Sequence, residues 1–244
     1  MWPGPYGEWG SRKYLMNSLN QSLKRMNLDY VDIFYSHRYD PETPLEETLQ
    51  ALVDIVRQGK ALYVGISKYP KEAAEFAYRY LAERDVHCLL YQGRYNMFNR
   101  EPEEEGILQQ ARENGTGFIA FSPLAQGLLT NRYTADTSFD PETDYRASMP
   151  QYRPESFEKN RALFSLLEQL ANEHRATASQ ISLAWMMNKR PAIVPIPGTR
   201  HLYRLKENIG AADIHLTDEE VKAIDTALDA MEMSEVFGGS PIKK

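Results

Sequence analysis

Two hydrophobic periods share this chain. Five short, nearly continuous apolar runs each end in polar residues: Val31 to Arg38, Ala61 to Lys68, His87 to Gln92, Gly117 to Ser122 and Ala192 to Gly198. A segment with apolar residues three or four apart follows each of them. Short apolar runs predict buried strands, and the longer period predicts amphipathic helices. Their alternation implies a parallel sheet covered by helices. Such sheets gather their ligand groups where the strands end.

Helix ends are marked as well. Ser11 is placed to cap a helix whose inward positions are Leu15, Leu19, Leu23 and Met26. Thr43 and Glu46 predict a capping box, Pro44 a first turn, and Leu45, Leu49, Leu52, Val53 and Val56 an inward stripe ending near Gly59. Lys71–Arg84 reads as a helix burying Ala74, Phe76, Ala77, Tyr80 and Leu81, and Gly106–Asn114 as a shorter one. The stretch Asn131–Pro154 has little periodicity, and a loop of that length is usually functional or disordered. Helices are predicted over Ser156–Glu173, over Ala178–Asn188 with a Thr177–Gln180 box, and over Leu202–Ile209. A last helix starts at Thr217, with Glu220 as box partner and Leu216 against Val221 as a staple. The first nine residues, rich in Pro, Gly and aromatics, read as a loop, and no repeat exceeds the strand–helix alternation. One domain over residues 1–244 is the economical organisation.

Composition narrows the classes. With 42% hydrophobic and 25% charged residues the chain reads as an ordinary soluble globular protein. A net charge of -6 gives no sign of nucleic-acid binding, yet leaves room for a local basic pocket. No apolar stretch approaches the roughly 20 residues that span a bilayer, and no targeting peptide is visible, so a cytoplasmic protein is expected. The single cysteine, Cys88, lies inside an apolar run and reads as a buried structural thiol suited to a reducing compartment.

Candidate chemistry sits at the strand ends. His37 is either a histidine hydrogen-bonded at a rim or a proton-handling group beside a carbonyl. Ser67, Lys68 and Gln92 end two neighbouring runs, where a hydroxyl and an amide converge as a site for an amide-bearing ligand would need. Phe121 offers a ring face to a flat heterocycle, and the Ser122-to-Gly127 turn offers backbone N–H groups to phosphate. Against this stands a core aromatic followed by an ordinary turn. Thr199 and Arg200 precede a helix bearing Arg204, Glu207 and Asn208, a setting that favours phosphate but also describes ordinary surface charge. Neither a G-x-G-x-x-G fingerprint nor a Walker loop is present, so a dinucleotide here would be bound without a Rossmann domain.

Ser36-His37-Arg38, Val64-Gly65-Ile66-Ser67, Gln92, the run from Phe121 to Thr130 and Glu207-Asn208-Ile209 occur in the order and spacing found in aldo-keto reductases. The chain resembles the branch that holds bacterial glyceraldehyde-phosphate reductases and potassium-channel β subunits; the segment from Trp2 to Gly7 is part of that likeness. The resemblance implies a (β/α)8 TIM barrel that binds NADPH in extended form across the C-terminal rim and reduces a small aldehyde or sugar-derived carbonyl. On it, His37 would orient the substrate carbonyl. Ser67, Lys68 and Gln92 would hold the nicotinamide carboxamide, with Phe121 stacked on the ring. Ser122, Leu124 and Gln126 would line the pyrophosphate, and Arg132 and Arg146 would belong to a loop closing over the cofactor. Thr199, Arg200, Arg204, Glu207 and Asn208 would hold the adenosine and its 2′-phosphate. Gly198 stands where many family members carry a lysine, so NADPH preference rests on Arg200 and Arg204.

One departure matters more than the rest. The family's Asp, Tyr and Lys lie on its first three strands, and the match begins beyond them. The expectation is therefore an incomplete barrel, strands four to eight with the C-terminal helices, weak or inactive by itself. The alternative is a non-catalytic nucleotide-binding or interaction module. Either would leave apolar surface and a strand edge open, predicting self-association or an N-terminal segment supplied in trans.

Overall fold

The first helix shows how local sequence sets the elements. In the computed structural model, which describes residues 7–189 and 193–236, α1 spans Arg12–Met26. The Ser11 hydroxyl accepts the Tyr14 N–H at its start, and Asn27 closes it at a φ of 54°. Leu15, Leu19 and Leu23 are buried, whereas Met26 is exposed. Of the nine-residue opening loop, residues 1–6 lie outside the described residues.

β1 (Val31–Ser36) leads to α2 (Leu45–Arg57). The capping box expected there does not form: the Thr43 hydroxyl donates to the Asp40 carboxylate at 2.8 Å, so it is turned away from the helix. Leu49, Leu52 and Val53 are buried as expected, but Leu45 and Val56 are half-buried, and Ile55 joins the core instead. Next come β2 (Ala61–Ser67) and α3 (Lys71–Ala82), then β3 (Cys88–Arg94). In α3 Tyr78 is buried, while Phe76 and Tyr80 stay half-buried and pack on each other at 5.9 Å. α4 (Glu101–Glu104), which no apolar period announces, precedes α5 (Ile107–Glu113) and β4 (Gly117–Phe121). Gly106, with φ of 76°, stands outside α5 because a left-handed residue cannot continue a helix. Cys88 is buried, and burial pushes its thiol up to about 12, far from reactive.

The chain forms two compact units, Met1–Gly93 with Glu101–Ile119, and Arg94–Arg100 with Ala120–Lys244. In the first, β1 pairs in parallel with β2 (Ser36 opposite Ile66) and β2 with β3 (Ser67 opposite Gln92). Leu19, Leu23, Ile55 and Ala61 form a buried cluster against which Met16, Val31 and Phe34 pack. β4 runs on from this unit into the second, and the five strands follow the order β1-β2-β3-β4-β5.

In the second unit a 3-10 turn, Ala125–Thr130, is followed by the long loop. That loop is ordered by two further turns, Tyr145–Ser148 and Pro150–Tyr152, and by edge-on aromatic contacts of Tyr152 with Tyr133 (5.6 Å) and Phe139 (4.8 Å). α6 (Pro154–Lys159) and α7 (Arg161–Glu173) replace the single helix expected from Ser156. The break falls at buried Asn160, whose amide donates to the Ser234 hydroxyl (2.9 Å) and accepts its N–H (2.9 Å). α8 (Ala178–Asn188), β5 (Ile193–Pro195), α9 (Leu202–Gly210) and α10 (Asp218–Ala230) complete the unit, and both predicted boxes, at Thr177 and Thr217, form. Ala192, at the start of the fifth apolar run, lies outside the described residues. Among the described residues no helix is long and apolar enough to cross a membrane.

Candidate functional site

In the first unit the ends of three strands assemble one polar cluster. Ser67 ends β2 opposite Gln92, and side chains of a registered pair share a face of the sheet. Ser67 is 1% exposed, and its hydroxyl oxygen has no hydrogen-bond partner among the described residues. A buried hydroxyl left so costs about 1–3 kcal/mol, so its partner is to be sought in a ligand or a water. Lys68 follows at a φ of 54°, its N–H donating to the Gln92 carbonyl at 3.3 Å, which turns its side chain outward. His37 follows β1 at an exposed position. The residues beside them are tied: the Ser36 and Tyr69 hydroxyls are hydrogen-bonded at 2.8 Å, and the Tyr91 hydroxyl donates to the Tyr69 carbonyl at 2.8 Å. Burial pushes the Tyr69 phenol far up, so it stays protonated. Partial burial, then the Arg38 and Lys68 cations, hold His37 below the ordinary histidine range. Its ring is therefore neutral at pH 7, with one nitrogen a donor and the other an acceptor.

In the second unit Phe121 ends β4, half-buried, and the chain turns sharply. Ser122, Ala125, Gln126 and Gly127 all have positive φ, at 53°, 47°, 57° and 106°. Three of these are not glycine, so the turn carries strain of order 1 kcal/mol or more at each and must be held from outside. The Asn96 amide donates to the Ser122 carbonyl at 2.9 Å, and the Tyr152 hydroxyl to the Gln126 carbonyl at 3.0 Å. Backbone turned this way collects N–H groups on one side and makes an anion-binding concavity.

That turn forms one wall of a cavity of about 600 Å³, a size suited to a small ligand or cofactor. The cavity brings together Ser122, Leu124, Gln126, Arg132, Arg146, Thr199, Arg200, Arg204, Glu207 and Asn208, and Gly198 is beside them. Phe121 is not part of its lining. The Thr199 hydroxyl accepts the His201 N–H at 3.2 Å where α9 begins, an end whose free N–H groups favour anions.

The charges divide into two kinds. Arg132 pairs with Glu207, which also accepts the Thr177 hydroxyl at 2.8 Å; burial opposes its charge, but these partners hold its carboxyl below the usual range. Arg146 is forked onto Asp144 (Nε to Oδ1 2.9 Å), donates to the Tyr133 hydroxyl at 2.7 Å and lies 4.3 Å over the Phe139 ring. The Arg146 hydrogen bond holds the Asp144 carboxyl down to about 2. Arg200 and Arg204 are in no ion pair among the described residues. Two guanidinium groups are thus paired with the chain's own carboxylates; of the other two, Arg200 also helps to hold the Asp144 carboxyl down. Sequence reasoning missed Asp144 and Tyr133; the need of Arg146 for a counter-ion was the one signal pointing towards Asp144.

Fold and cavity together define an α/β protein with a cationic, nucleotide-sized cavity beside its fourth and fifth strands. The chain belongs to the aldo/keto reductase family, whose sequence model matches residues 1–229. It is 42% identical over 231 residues to the L-glyceraldehyde 3-phosphate reductase of Escherichia coli O157:H7, covering 92% of this chain and 66% of that protein. It is 37% identical to the aldo-keto reductase yakc of Schizosaccharomyces pombe, whose name carries NADP(+), covering 90% of this chain and 64% of the relative. A crystal structure of a thermostable aldo-keto reductase with the inhibitor epalrestat matches with a TM-score of 0.71 at 34% identity, over 93% of this chain and 69% of that one. The chain thus spans about two thirds of the length of the curated relatives it matches.

Proposed function

We propose that this chain binds NADP(H) and serves the reduction of small aldehydes or sugar-derived carbonyls. The observation that carries the reading is the cavity of the second unit, where a strained N–H-rich turn is combined with Arg200 and Arg204, which are in no ion pair among the described residues. In the first unit, taken by itself, the Ser67 hydroxyl is buried opposite Gln92 with no partner among the described residues, a setting that would suit a carboxamide. When bound, NADPH supplies the hydride. Ser67, Lys68 and Gln92 hold the carboxamide, and Phe121 offers its ring to the nicotinamide. Ser122, Leu124 and Gln126 would hold the pyrophosphate, Arg132 and Arg146 would belong to the loop beside it, and Thr199, Arg200, Arg204, Glu207 and Asn208 would hold the adenosine and its 2′-phosphate. His37, neutral at pH 7, donates a hydrogen bond that orients the carbonyl without placing a cation beside it.

In this reading the 244 residues form one domain corresponding to strands four to eight of the family's barrel. They turn over carbonyls weakly or not at all by themselves, because no tyrosine in the sequence occupies the position the resemblance gives to the proton donor. A second reading, a nucleotide-binding or interaction module without turnover, draws on the same feature. Fluorescence titration with NADPH, followed by absorbance with methylglyoxal, separates the possibilities. Binding with little turnover is expected. Turnover at ordinary rates of about 1–1000 per second overturns the weak-activity statement. Failure to bind NADPH overturns both readings.

A further inference from the structure

Among the groups lining the cavity, the Ser122 hydroxyl has an unusual constraint. Its oxygen accepts a hydrogen bond from the Gln126 side-chain amide at 3.1 Å, and no acceptor among the described residues takes its proton. The Gln126 amide is itself oriented, because its oxygen accepts from the side-chain amide of Gln151 at 3.2 Å. Gln151 is fully buried, and the same nitrogen donates to the Met149 sulfur at 3.4 Å, so both neighbours call for a donor there. The next residue, Tyr152, fastens the Gln126 carbonyl with its hydroxyl. The hydrogen bonds thus run one way, from Gln151 to Gln126 to Ser122. A hydroxyl that already accepts is left to donate, and an anion needs donors.

We propose that Gln151, outside the lining of the cavity, is a positioning residue for anion recognition: through Gln126 it fixes the Ser122 hydroxyl as a donor to whatever anion the cavity holds. The inference rests on the cofactor reading above and deepens it, adding a residue from the long loop that gives the strained turn its polarity. It also accounts for a polar amide at a fully buried position where an apolar side chain would avoid desolvation.

The test is a thermodynamic cycle read by calorimetric titration of NADP+ into the full chain. Gln151→Glu puts an acceptor where the relay needs a donor. Gln126 then turns its amide nitrogen to residue 151 and its oxygen to Ser122, whose proton is consumed internally. A hydrogen bond to a charged group is lost, so NADP+ affinity is expected to fall about tenfold or more. Gln151→Met, uncharged and of similar length, leaves Gln126 unguided and is expected to cost about threefold, a smaller loss because the Ser122 proton remains available part of the time. In a Ser122→Ala background both losses should disappear, since the donor they act through is gone. A purely structural Gln151 would give the same loss with or without the Ser122 hydroxyl, and that result overturns the proposal. So does unchanged affinity in both variants. If the buried charge of Gln151→Glu prevents folding, the Gln151→Met cycle decides alone. Absence of NADP+ binding by the parent chain overturns the cofactor reading and this inference with it. Binding by the parent that the variants share overturns this inference alone.

Discussion

Asp144 and Arg146 lie two residues apart, yet neither one's role follows from that spacing. The guanidinium is shared between the Asp144 carboxylate, the Tyr133 hydroxyl and the Phe139 ring, which joins three parts of the long loop. The depressed carboxyl pKa gives the contribution a sign. A folded-state pKa of about 2 lies below the ordinary aspartate value of about 3.9, so the pair's stabilisation is full above about pH 4 and is lost as pH falls towards 2. Arg146→Gln should return the Asp144 titration midpoint towards the ordinary value, measured by carbon NMR of the side-chain carboxyl. A midpoint that stays near 2 would mean that the backbone N–H of residue 146, and not the guanidinium, sets it. At this scale the sequence showed the cations Arg132 and Arg146 but not their counter-ions. Long side chains reach partners across a loop or from another helix, and no period encodes such a reach.

At the scale of the element, strands were easiest to read. An apolar run bounded by polar ends leaves few other structures, and four of the five start within one residue of where the pattern puts them; the fifth run begins at Ala192, outside the described residues. Glycine in mid-strand carries a further demand. A Cβ on Gly65 would meet Tyr35 ring carbons at 2.6 and 2.7 Å and the Leu90 carbonyl at 3.0 Å, and these are its register partners on the two flanking strands. The ring can shift a little, but the backbone carbonyl cannot. Gly65→Ala should therefore destabilise the chain by about 1–3 kcal/mol, seen as a lower urea midpoint at unchanged slope. An unchanged midpoint would show that the ring yields freely. Helix stripes held in part, with Ile55 and Tyr78 buried where Val56, Phe76 and Tyr80 were expected, and helix ends departed too: the Thr43 cap was lost to Asp40, and Asn160 split a helix by binding Ser234. Capping is a competition between local and distant partners, and only the local ones are visible in sequence.

Exposed apolar surface bears on how the whole molecule associates. In the first unit Met26, Leu28, Tyr30, Leu62 and Tyr63 are each 44–51% exposed around the start of β1 and β2, and among the described residues β1 pairs with β2 alone. An apolar patch beside an open strand edge favours pairing with another chain. Light scattering after size exclusion should show a mass above 28.1 kDa that rises with concentration, and a monomer at every concentration tested would rule this out. By itself the sequence determined the strand–helix alternation, the order of the elements, the family likeness and the residue types at each strand end. These follow from burial and from φ/ψ preference, which act over a few neighbouring positions. Tertiary structure alone decided that the turn after β4, the long loop and α9 line one cavity, that Arg132 and Arg146 pair with carboxylates while Arg200 and Arg204 are in no ion pair among the described residues, and that Gln151, Gln126 and Ser122 are joined by one line of hydrogen bonds. The physical reason is distance along the chain. Charge compensation and hydrogen-bond direction depend on which groups meet in space, and those meetings exist only once the chain has folded.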